Sequence, residues 1–442
     1  MKGPYLEVKG GSELKGEIEP QGAKNEALQI LAACLLTPEK VTVENLPDIQ
    51  DVRLMLTLLQ ILGVKVEIIN KHTIELEASD ISPENLLAPE ARKLAQQLRG
   101  SVLLIGPLLA RCGKVILPKP GGDKIGRRRL DTHFLGLQKL GAQLEYQPRE
   151  QLYILKAHNR LKGTYILLDE ASVTGTANLI MASVLAEGQT TIYHAACEPY
   201  IQQLCKMLCQ MGATIQGIGS NLLIIQGTSQ LGGAIHRLLA DVIEVGSFIG
   251  IAAVTHSTLR IKNADVLHLG NTLNAFQRLG IPMEIQNNDI IIFAREEYQI
   301  ETYLDGGILT ISDHPWPGVS PDLLSILLVT ATQCKGNVLI HQKMFESRLF
   351  FVDKLIDMGA QILLCDPHRA VVIGSGSRQK LRAISMSSPD IRAGIALLIA
   401  ALCAAGKSYI YNIEQIDRGY QAIDVRLRQL GAQIYRHENM SN

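Results

Sequence analysis

The sequence lacks a charge imbalance, a long apolar run and an apolar leader. Its 43 basic and 43 acidic residues give a formal net charge of zero and a pI near 7.2, which argues against a nucleic-acid partner. The longest apolar run, residues 394–406, is too short to cross a bilayer, so we expect no membrane partner. The opening MKGPYLEVKGG has no apolar signal region, so we expect a cytoplasmic protein.

Paired cysteines and common catalytic motifs are also missing. The eight cysteines, at positions 34, 112, 197, 205, 209, 334, 365 and 403, include no CxxC pair and mostly lie in apolar segments. We therefore predict reduced core residues and no metal cluster. The absence of P-loop, GxGxxG, HExxH and GxSxG motifs disfavours nucleoside triphosphate kinases, dinucleotide enzymes and common hydrolases.

The sequence does contain a sixfold repeat. A large apolar residue, glycine, a small residue, any residue and an apolar residue recur in that order, with successive glycines 68 to 79 residues apart. These glycines are Gly63, Gly141, Gly212, Gly280, Gly359 and Gly431. A helical pattern precedes each glycine and a short alternating segment follows it, so we predict a helix that ends at a left-handed glycine before a strand.

Six such units in 442 residues predict an α/β protein with two domains of three units each, helices inside and sheets facing outward. The dividing segment is expected at residues 236–244. The first domain would span residues 22–240 and include a mobile loop at 119–129. The second would combine residues 1–21 with 241–442. A single elongated array of repeats is the alternative.

Several isolated cations stand out from the repeats. Lys24 begins an apolar helix in QGAKNEALQIL, where amides and a lysine can bind an anion, although the pattern alone favours a solvated lysine. Arg99 and Arg111 bound the apolar helical stretch LRGSVLLIGPLLARCG, where arginines commonly cap a helix or extend to solvent. The last third of the chain adds Arg348, Arg392 and Arg418. Together these residues suit a ligand with phosphates or carboxylates; for the last two, an ion pair with a neighbouring acid is an equal alternative.

Two acids occupy unusual positions. Asp322 follows the proline-rich loop DHPWPGVSP at the opening of a buried helix, where the helix dipole alone would favour an acid. Asp123 stands in KPGGDKIGRRR (119–129), a glycine-containing stretch with five cations. The composition of that stretch indicates a flexible basic loop with one carboxylate near its tip.

Seven motifs together resemble one enzyme family: GAKN (22–25), RGS…GPLLAR, LPKPGGDKIGRR, SVTGT (172–176), SPD (320–322), FESR (345–348) and DRGY (417–420). Their order and spacing are similar to those of the UDP-N-acetylglucosamine 1-carboxyvinyltransferases, the MurA family. The related EPSP synthases share the fold that this implies, a two-domain inside-out α/β barrel of six repeats.

The resemblance implies transfer of the enolpyruvyl group of phosphoenolpyruvate to the 3′-hydroxyl of UDP-N-acetylglucosamine, with release of phosphate. This is the committed step of peptidoglycan synthesis. The implied partners are these two small molecules, and no cofactor or metal is implied. The alternatives are transfer to shikimate 3-phosphate, as in EPSP synthase, and a catalytically silent UDP-sugar binder.

The resemblance also implies roles for individual residues. Phosphoenolpyruvate would be held by Lys24, Asn25, Arg128 and Arg418. The UDP-sugar would be contacted by Asn25, Arg99, Arg128, Arg129, Leu130, Asp131, Thr132, Ser172, Val173, Asp322 and Met344. Lys24 and Arg418 would also be catalytic, Asp322 would accept the proton of the attacking hydroxyl, and Arg348 and Arg392 would play supporting roles.

The loop acid is the main departure from the family pattern. Most members carry a cysteine at the loop tip, where this sequence has Asp123. By resemblance, Asp123 would deliver a proton to C3 of phosphoenolpyruvate. Fosfomycin is an epoxide that alkylates the family's cysteine, and a thiolate is a better nucleophile than a carboxylate. We therefore expect this protein to resist fosfomycin.

Overall fold

The computed structural model describes residues 3–122, 128–346, 348–376 and 380–438. The chain divides into two compact units. Unit I contains residues 22–122 and 128–239, and unit II contains the described residues of 3–21 and 240–438. Each unit has its own cluster of buried apolar side chains. We propose that the units correspond to the two predicted domains of three repeats.

The described residues form 23 strands and 14 α-helices. The strands are β1 (Tyr5–Lys9), β2 (Gly16–Ile18), β3 (Lys40–Glu44), β4 (Lys65–Asn70), β5 (Thr73–Glu77), β6 (Lys114–Pro118), β7 (Gln143–Gln147), β8 (Leu152–Lys156), β9 (Tyr165–Leu167), β10 (Gln189–Tyr193), β11 (Thr214–Gln216), β12 (Leu222–Gln226), β13 (Ala234–Arg237), β14 (Leu259–Ile261), β15 (Met283–Gln286), β16 (Asp289–Ile292), β17 (Leu309–Ser312), β18 (Lys335–His341), β19 (Ile362–Asp366), β20 (Arg369–Ser375), β21 (Ser385–Ser387), β22 (Lys407–Tyr411) and β23 (Gln433–His437). The helices are α1 (Lys24–Ala33), α2 (Gln50–Leu62), α3 (Pro89–Gln97), α4 (Ile105–Cys112), α5 (Asp131–Lys139), α6 (Val173–Ser183), α7 (Pro199–Gln210), α8 (Val242–Val254), α9 (Thr272–Arg278), α10 (Leu324–Thr332), α11 (Val352–Asp357), α12 (Ile391–Cys403), α13 (Glu414–Asp417) and α14 (Ile423–Gln429).

The six repeat glycines all adopt the left-handed conformation, with φ between 89° and 105°. They follow α2, α5, α7, α9, α11 and α14, and a strand begins two or three residues after each. At Gly63 a β-carbon would also lie 2.3 Å from the carbonyl oxygen of Asp80, so a side chain there would be strained and crowded. The predicted helix–glycine–strand unit is confirmed at all six positions.

Each unit contains three sheets, one for each repeat. The sheets of unit I have the strand orders β13-β3-β5-β4, β11-β12-β10-β9 and β6-β8-β7. Those of unit II have the orders β21-β22-β1-β23, β15-β16-β14-β2 and β17-β18-β20-β19. In the last repeat, β1 from the start of the chain pairs antiparallel with both β22 and β23. The first and last of the described strands are therefore neighbours in one sheet.

The helices lie in the cores of the units, and the sheets have one exposed face. Every residue of α10 and α12 is buried, as expected of a helix that is apolar on all sides. Strands such as β3 and β10 alternate between buried and more exposed residues, because successive side chains point to opposite faces of a sheet. The predicted fold class, with helices inside and sheets outside, is confirmed.

Two local predictions need correction. The stretch from Arg99 to Cys112 is not one helix: a 3₁₀ helix over Arg99–Leu104 precedes α4. Arg111 donates from Nη1 to the carbonyl oxygens of Leu35 and Thr37, so it caps a neighbouring helical turn. Not every cysteine is a core residue, since Cys365 is exposed, although all eight carry free thiols.

None of the helices in the described part of the chain combines the length and the apolar character needed to span a bilayer.

Candidate active site

Lys24 is the first residue of α1 and is buried, with 7% of its surface exposed. Its ammonium lies 2.6 Å from Oδ2 of Asp51, a carboxylate that is 2% exposed in the first turn of α2. The interpretation of Lys24 as a solvated lysine is therefore wrong. Asn25, the next residue, is half-buried. Lys24 is thus a fixed cation at the amino end of α1, where the helix dipole also favours an anion.

We expect Lys24→Met to destabilise the protein by about 3–5 kcal/mol, because it leaves the buried Asp51 carboxylate without this cation. The double variant Lys24→Met/Asp51→Leu should recover most of that stability, since no unpaired charge remains. It should stay inactive if Lys24 binds the phosphate of the substrate. Chemical denaturation and a phosphate-release assay would measure the two effects.

The matched control is Lys40→Met. Lys40 pairs with Glu75, but its side chain is 59% exposed, so its loss should cost less than about 1 kcal/mol. Recovery of normal turnover in the double variant would show that Lys24 serves stability alone.

Gly122 and Arg128, from the two described parts of the basic loop, both lie close to Arg99. Nη2 of Arg99 donates to the carbonyl oxygen of Arg128 at 2.8 Å. A β-carbon on Gly122 would lie 2.8 Å from Cβ of Arg99, and the φ of Gly122 is +100°. Burial, with the nearby charge of Arg128, lowers the pKa of Arg99 to about 10. Asp123 itself lies outside the described residues, so its role remains a prediction.

The other predicted UDP-sugar ligands of unit I surround the amino ends of α5 and α6. Arg129 and Asp131 are exposed, whereas Leu130 and Thr132 are buried. Ser172 caps α6 by accepting a hydrogen bond at Oγ from the amide of Gly175, and Val173 is the first helical residue.

Thr132 connects these two helix ends. A β-carbon on Gly175 would lie 3.2 Å from Cγ2 of Thr132, so α5 and α6 approach closely there. The hydroxyl of Thr132 lies 2.8 Å from Oδ1 of Asp169 and 3.3 Å from Oε1 of Glu170. The structure thus brings Thr132, Ser172 and Val173 together, and pairs Arg99 with Arg128.

Unit II gathers Asp322, Arg348 and Arg392 into one charged cluster. Nη2 of Arg348 contacts Oδ1 of Asp322, while Nε and Nη2 of Arg392 each lie 3.0 Å from Oδ2. Both arginine side chains are less than 10% exposed. Burial lowers the pKa of Arg392, but the charge of Asp322 and the smaller contributions of Tyr420 and Asp241 together outweigh burial, so the net shift is upward. The guanidinium groups hold the carboxylate of Asp322 in a fixed orientation.

The cluster has unused hydrogen-bonding capacity. Nε and Nη1 of Arg348 are buried and have no hydrogen-bond partner among the described residues, although Nη1 lies 3.8 Å from Oδ1 of Asp390. The same Asp390 oxygen accepts the amides of Arg392 and Ala393 and caps α12. Buried N–H groups without acceptors are costly, so an anionic ligand at Arg348 would be stabilising.

Arg418 and Met344 occupy separate loops of unit II. Arg418 follows α13, and its Nη1 lies 3.1 Å from Oε1 of Gln415. The side chain of Gln21 holds the segment after Arg418, donating to the Gly419 carbonyl oxygen and accepting from the Gln421 amide. Met344 is 42% exposed, and its amide donates to the buried carboxylate of Asp313.

For Arg392, the alternative of an ion pair with an acid is confirmed, but the partner is not the adjacent acid. Arg392 pairs with Asp322, 70 residues away, because the nearby Asp390 is engaged as a helix cap. Asp417, the acid before Arg418, accepts Nη1 and Nη2 of Arg436 at 2.9 and 2.7 Å.

Sequence reasoning also missed several polar residues beside the predicted ligands. They are Asp51, His133, Asp169, Thr174 and Asn178. The only signal for Asp51 in the sequence is an acid in the first turn of a predicted helix. The helix dipole favours an acid there even when no ligand is bound. Thr174 lies within the quoted SVTGT motif, but no spacing rule pairs it with His133.

The arrangement suits the binding of anionic groups and proton transfer from a hydroxyl. Lys24, Arg99 and Arg128 supply positive charge in unit I, and Arg348, Arg392 and Arg418 supply it in unit II. Asp322 is a carboxylate whose orientation is fixed by two of these arginines. Among the residues that the structure describes, no three His, Cys, Asp or Glu side chains are placed to hold a metal ion.

Solved structures identify the fold, and a matching protein family identifies the class of protein. The enolpyruvyl transferase NikO from Streptomyces tendae superimposes with a TM-score of 0.86 at 22% identity, covering 99% of this chain and 100% of that chain. This likeness establishes the enolpyruvyl transferase fold. The family described as EPSP synthase (3-phosphoshikimate 1-carboxyvinyltransferase) matches residues 8–439.

Sequence relatives identify the branch of that class. The UDP-N-acetylglucosamine 1-carboxyvinyltransferase of Porphyromonas gingivalis is 61% identical over 429 residues, covering 97% of this chain and 99% of the relative. The enzyme of the same name from Bacteroides fragilis is 60% identical with the same coverage. The chain therefore belongs to the UDP-N-acetylglucosamine 1-carboxyvinyltransferase family, and the resemblance predicted from the seven motifs is confirmed.

Proposed function

We propose that this chain transfers the enolpyruvyl group of phosphoenolpyruvate to the 3′-hydroxyl of UDP-N-acetylglucosamine, releasing phosphate, in the committed step of peptidoglycan synthesis. The observation that carries the proposal is the 61% identity, across nearly the whole of both chains, with the Porphyromonas gingivalis enzyme of that name. The fixed cations match the chemistry, because both substrates are phosphorylated and one also carries a carboxylate.

The proposal assigns a role in this reaction to residues of each unit. Lys24, Arg128 and Arg418 bind the phosphate and carboxylate of phosphoenolpyruvate, with Asn25 beside them. The UDP-sugar is bound by Arg99, by residues 128–132 and by the amino end of α6, with contributions from Asp322 and Met344. Arg348 and Arg392 support Asp322, which agrees with their ion pairs to that carboxylate.

The proposed reaction is an addition followed by an elimination. The 3′-oxygen bonds to C2 of phosphoenolpyruvate, its proton passes to Asp322, and Asp123 gives a proton to C3. The tetrahedral intermediate then loses a proton from C3 and breaks the bond between C2 and the phosphate oxygen, which restores the double bond. Fixed cations around the phosphate favour its departure, since they are preorganised for negative charge.

A direct assay tests the function. Purified protein is supplied with phosphoenolpyruvate and either UDP-N-acetylglucosamine or shikimate 3-phosphate, and phosphate release is followed. We expect release with the UDP-sugar and none with shikimate 3-phosphate. The second substrate is the specific alternative, because the matching family bears the EPSP synthase description. Tight binding of UDP-sugar without phosphate release would instead indicate a silent binder.

We also propose that the protein acts in the cytoplasm. All eight cysteines carry free thiols, as is usual in a reducing compartment.

Burial raises the pKa of Cys34, Cys205, Cys334 and Cys403 to about 12, so these four are poor nucleophiles at neutral pH.

Fosfomycin distinguishes a loop carboxylate from a loop thiolate. We expect the unmodified protein to keep full activity during prolonged exposure to micromolar drug. The variant Asp123→Cys should turn over and lose activity with time, because its thiolate can open the epoxide and form a C–S bond while the ring oxygen takes up a proton. Inactivation is measured by residual phosphate release and by the mass of the adduct. Time-dependent loss of activity in the unmodified protein would contradict the prediction.

A further inference from the structure

A buried hydrogen-bond network lies directly behind the amino end of α6. His133, on α5, is 1% exposed and contacts two residues of α6. Its Nε2 lies 3.0 Å from Oγ1 of Thr174, and its Nδ1 lies 2.9 Å from Nδ2 of Asn178. Asn178, which is fully buried, also bonds to the backbone at Val102 and Gly106. The imidazole is therefore held from both sides.

The contacts of Asn178 fix the direction of every hydrogen bond in the network. Its Oδ1 lies 2.7 Å from the amide nitrogen of Gly106 and must accept, while its Nδ2 lies 2.9 Å from the carbonyl oxygen of Val102 and must donate. Nδ2 consequently donates to Nδ1 of His133 as well. A neutral imidazole with Nδ1 as acceptor carries its proton on Nε2, so His133 donates to Oγ1 of Thr174.

The imidazole is kept in this neutral form. Burial, reinforced by the charge of Arg99, lowers the pKa of His133 to about 3. The donor at Nε2 is therefore present throughout the physiological pH range. Since Oγ1 of Thr174 already accepts this bond, its own proton is left to be donated elsewhere.

Thr174 is positioned to donate a hydrogen bond from its hydroxyl to a ligand. It is the second residue of α6, half-buried, and directly follows the proposed ligands Ser172 and Val173. The hydroxyl proton has no acceptor among the described residues. The first turn of a helix also presents amide groups without intrahelical partners, so a diphosphate there would receive backbone and hydroxyl donors together.

We propose that His133 is a positioning residue for the UDP-sugar site: held by Asn178, it orients the hydroxyl of Thr174 to donate a hydrogen bond to the diphosphate of the nucleotide sugar. The inference rests on the proposed function and adds two residues to it. Thr174 touches the ligand, whereas His133 acts through Thr174. Neither residue takes part in the proton transfers of the reaction.

The test separates substrate binding from chemistry. Thr174→Val removes the hydroxyl with little change of shape, and should raise KM for UDP-N-acetylglucosamine by about tenfold, the usual worth of a hydrogen bond to a charged group. It should leave kcat within about twofold and KM for phosphoenolpyruvate unchanged, because the lost contact is equal in ground state and transition state. Thr174→Ser should restore a normal KM. Thr191→Val, on the outward face of β10, is the matched control and should have no effect.

A double-variant cycle tests the role of His133. His133→Phe should raise KM for the UDP-sugar as Thr174→Val does, and the two changes together should raise it little further. A loss of thermal stability with no change in KM from His133→Phe alone would show a structural role only. Effects of the two changes on KM that multiply would show that His133 does not act through Thr174. If His133→Phe fails to fold, the comparison of Thr174→Val with Thr174→Ser still decides whether the hydroxyl binds the ligand.

The outcomes also separate this inference from the proposed function. Turnover of UDP-N-acetylglucosamine by the unmodified protein, with an unchanged KM in Thr174→Val, would overturn the inference alone. Absence of turnover in the unmodified protein would overturn both.

Discussion

Asp123→Asn is expected to lower kcat by about 10²–10⁴-fold, the usual contribution of a general acid. An amide of the same shape cannot deliver a proton to C3 of phosphoenolpyruvate. Affinity for UDP-N-acetylglucosamine should be retained, because Asp123 is not among the proposed sugar ligands. The acid needed for this step has no other proposed source in the loop, where the remaining charged side chains are lysines and arginines.

Two measurements check this prediction. Calorimetric titration with UDP-N-acetylglucosamine should give a similar Kd for Asp123→Asn and the unmodified protein, while phosphate release falls. Asp123→Glu, which keeps a carboxyl group, should retain more activity than Asp123→Asn. A near-normal kcat in Asp123→Asn would show that another group protonates C3.

Asp322→Asn should have an effect of similar size, about 10²–10⁴-fold in kcat, since the proposed general base is lost. It should also destabilise the protein by up to about 3–5 kcal/mol, because Arg348 and Arg392 lose the carboxylate that pairs with them. The proximity of Asp390 to Arg348 should reduce that cost. Steady-state kinetics and denaturant unfolding measure the two effects separately.

Asp289→Asn is the matched control. Asp289 has a similarly exposed side chain, 15% against 18%, and receives Nε and Nη2 of Arg260 in the same unit. Its neutralisation should affect stability and leave kcat unchanged. Equal losses of kcat in both variants would mean that Asp322 acts through stability rather than as a base.

The repeat and the family could be read from the sequence because both depend on local patterns. A helix that ends at a glycine with positive φ can be recognised from a few consecutive residues. All six predicted glycines have a positive φ in the structure. The inside-out arrangement was predicted from the division of six repeats into two domains, and it agrees with the fully buried helices α10 and α12. Motifs such as GAKN and DRGY are contiguous, so they needed no tertiary information.

The partners of the charged residues could not be read in this way. Whether Lys24 is solvated or buried against Asp51 depends on how α1 and α2 pack. Arg392 could pair with Asp390 in sequence, yet Asp390 caps α12 and Asp322 supplies the ion pair. The network of His133, Thr174 and Asn178 likewise depends on the contact of α5 with α6. Tertiary packing, which no local pattern encodes, decides each case.

The pairing of β1 with β22 and β23 affects the order in which the chain can fold during synthesis. Tyr5 lies opposite His437, so this sheet joins segments that are more than 400 residues apart, and its formation must close a very long loop. Unit I draws its three sheets and its core from residues 22–239. It can therefore fold while the ribosome is still translating, whereas β1 has neither of its partner strands until β22 has been synthesised.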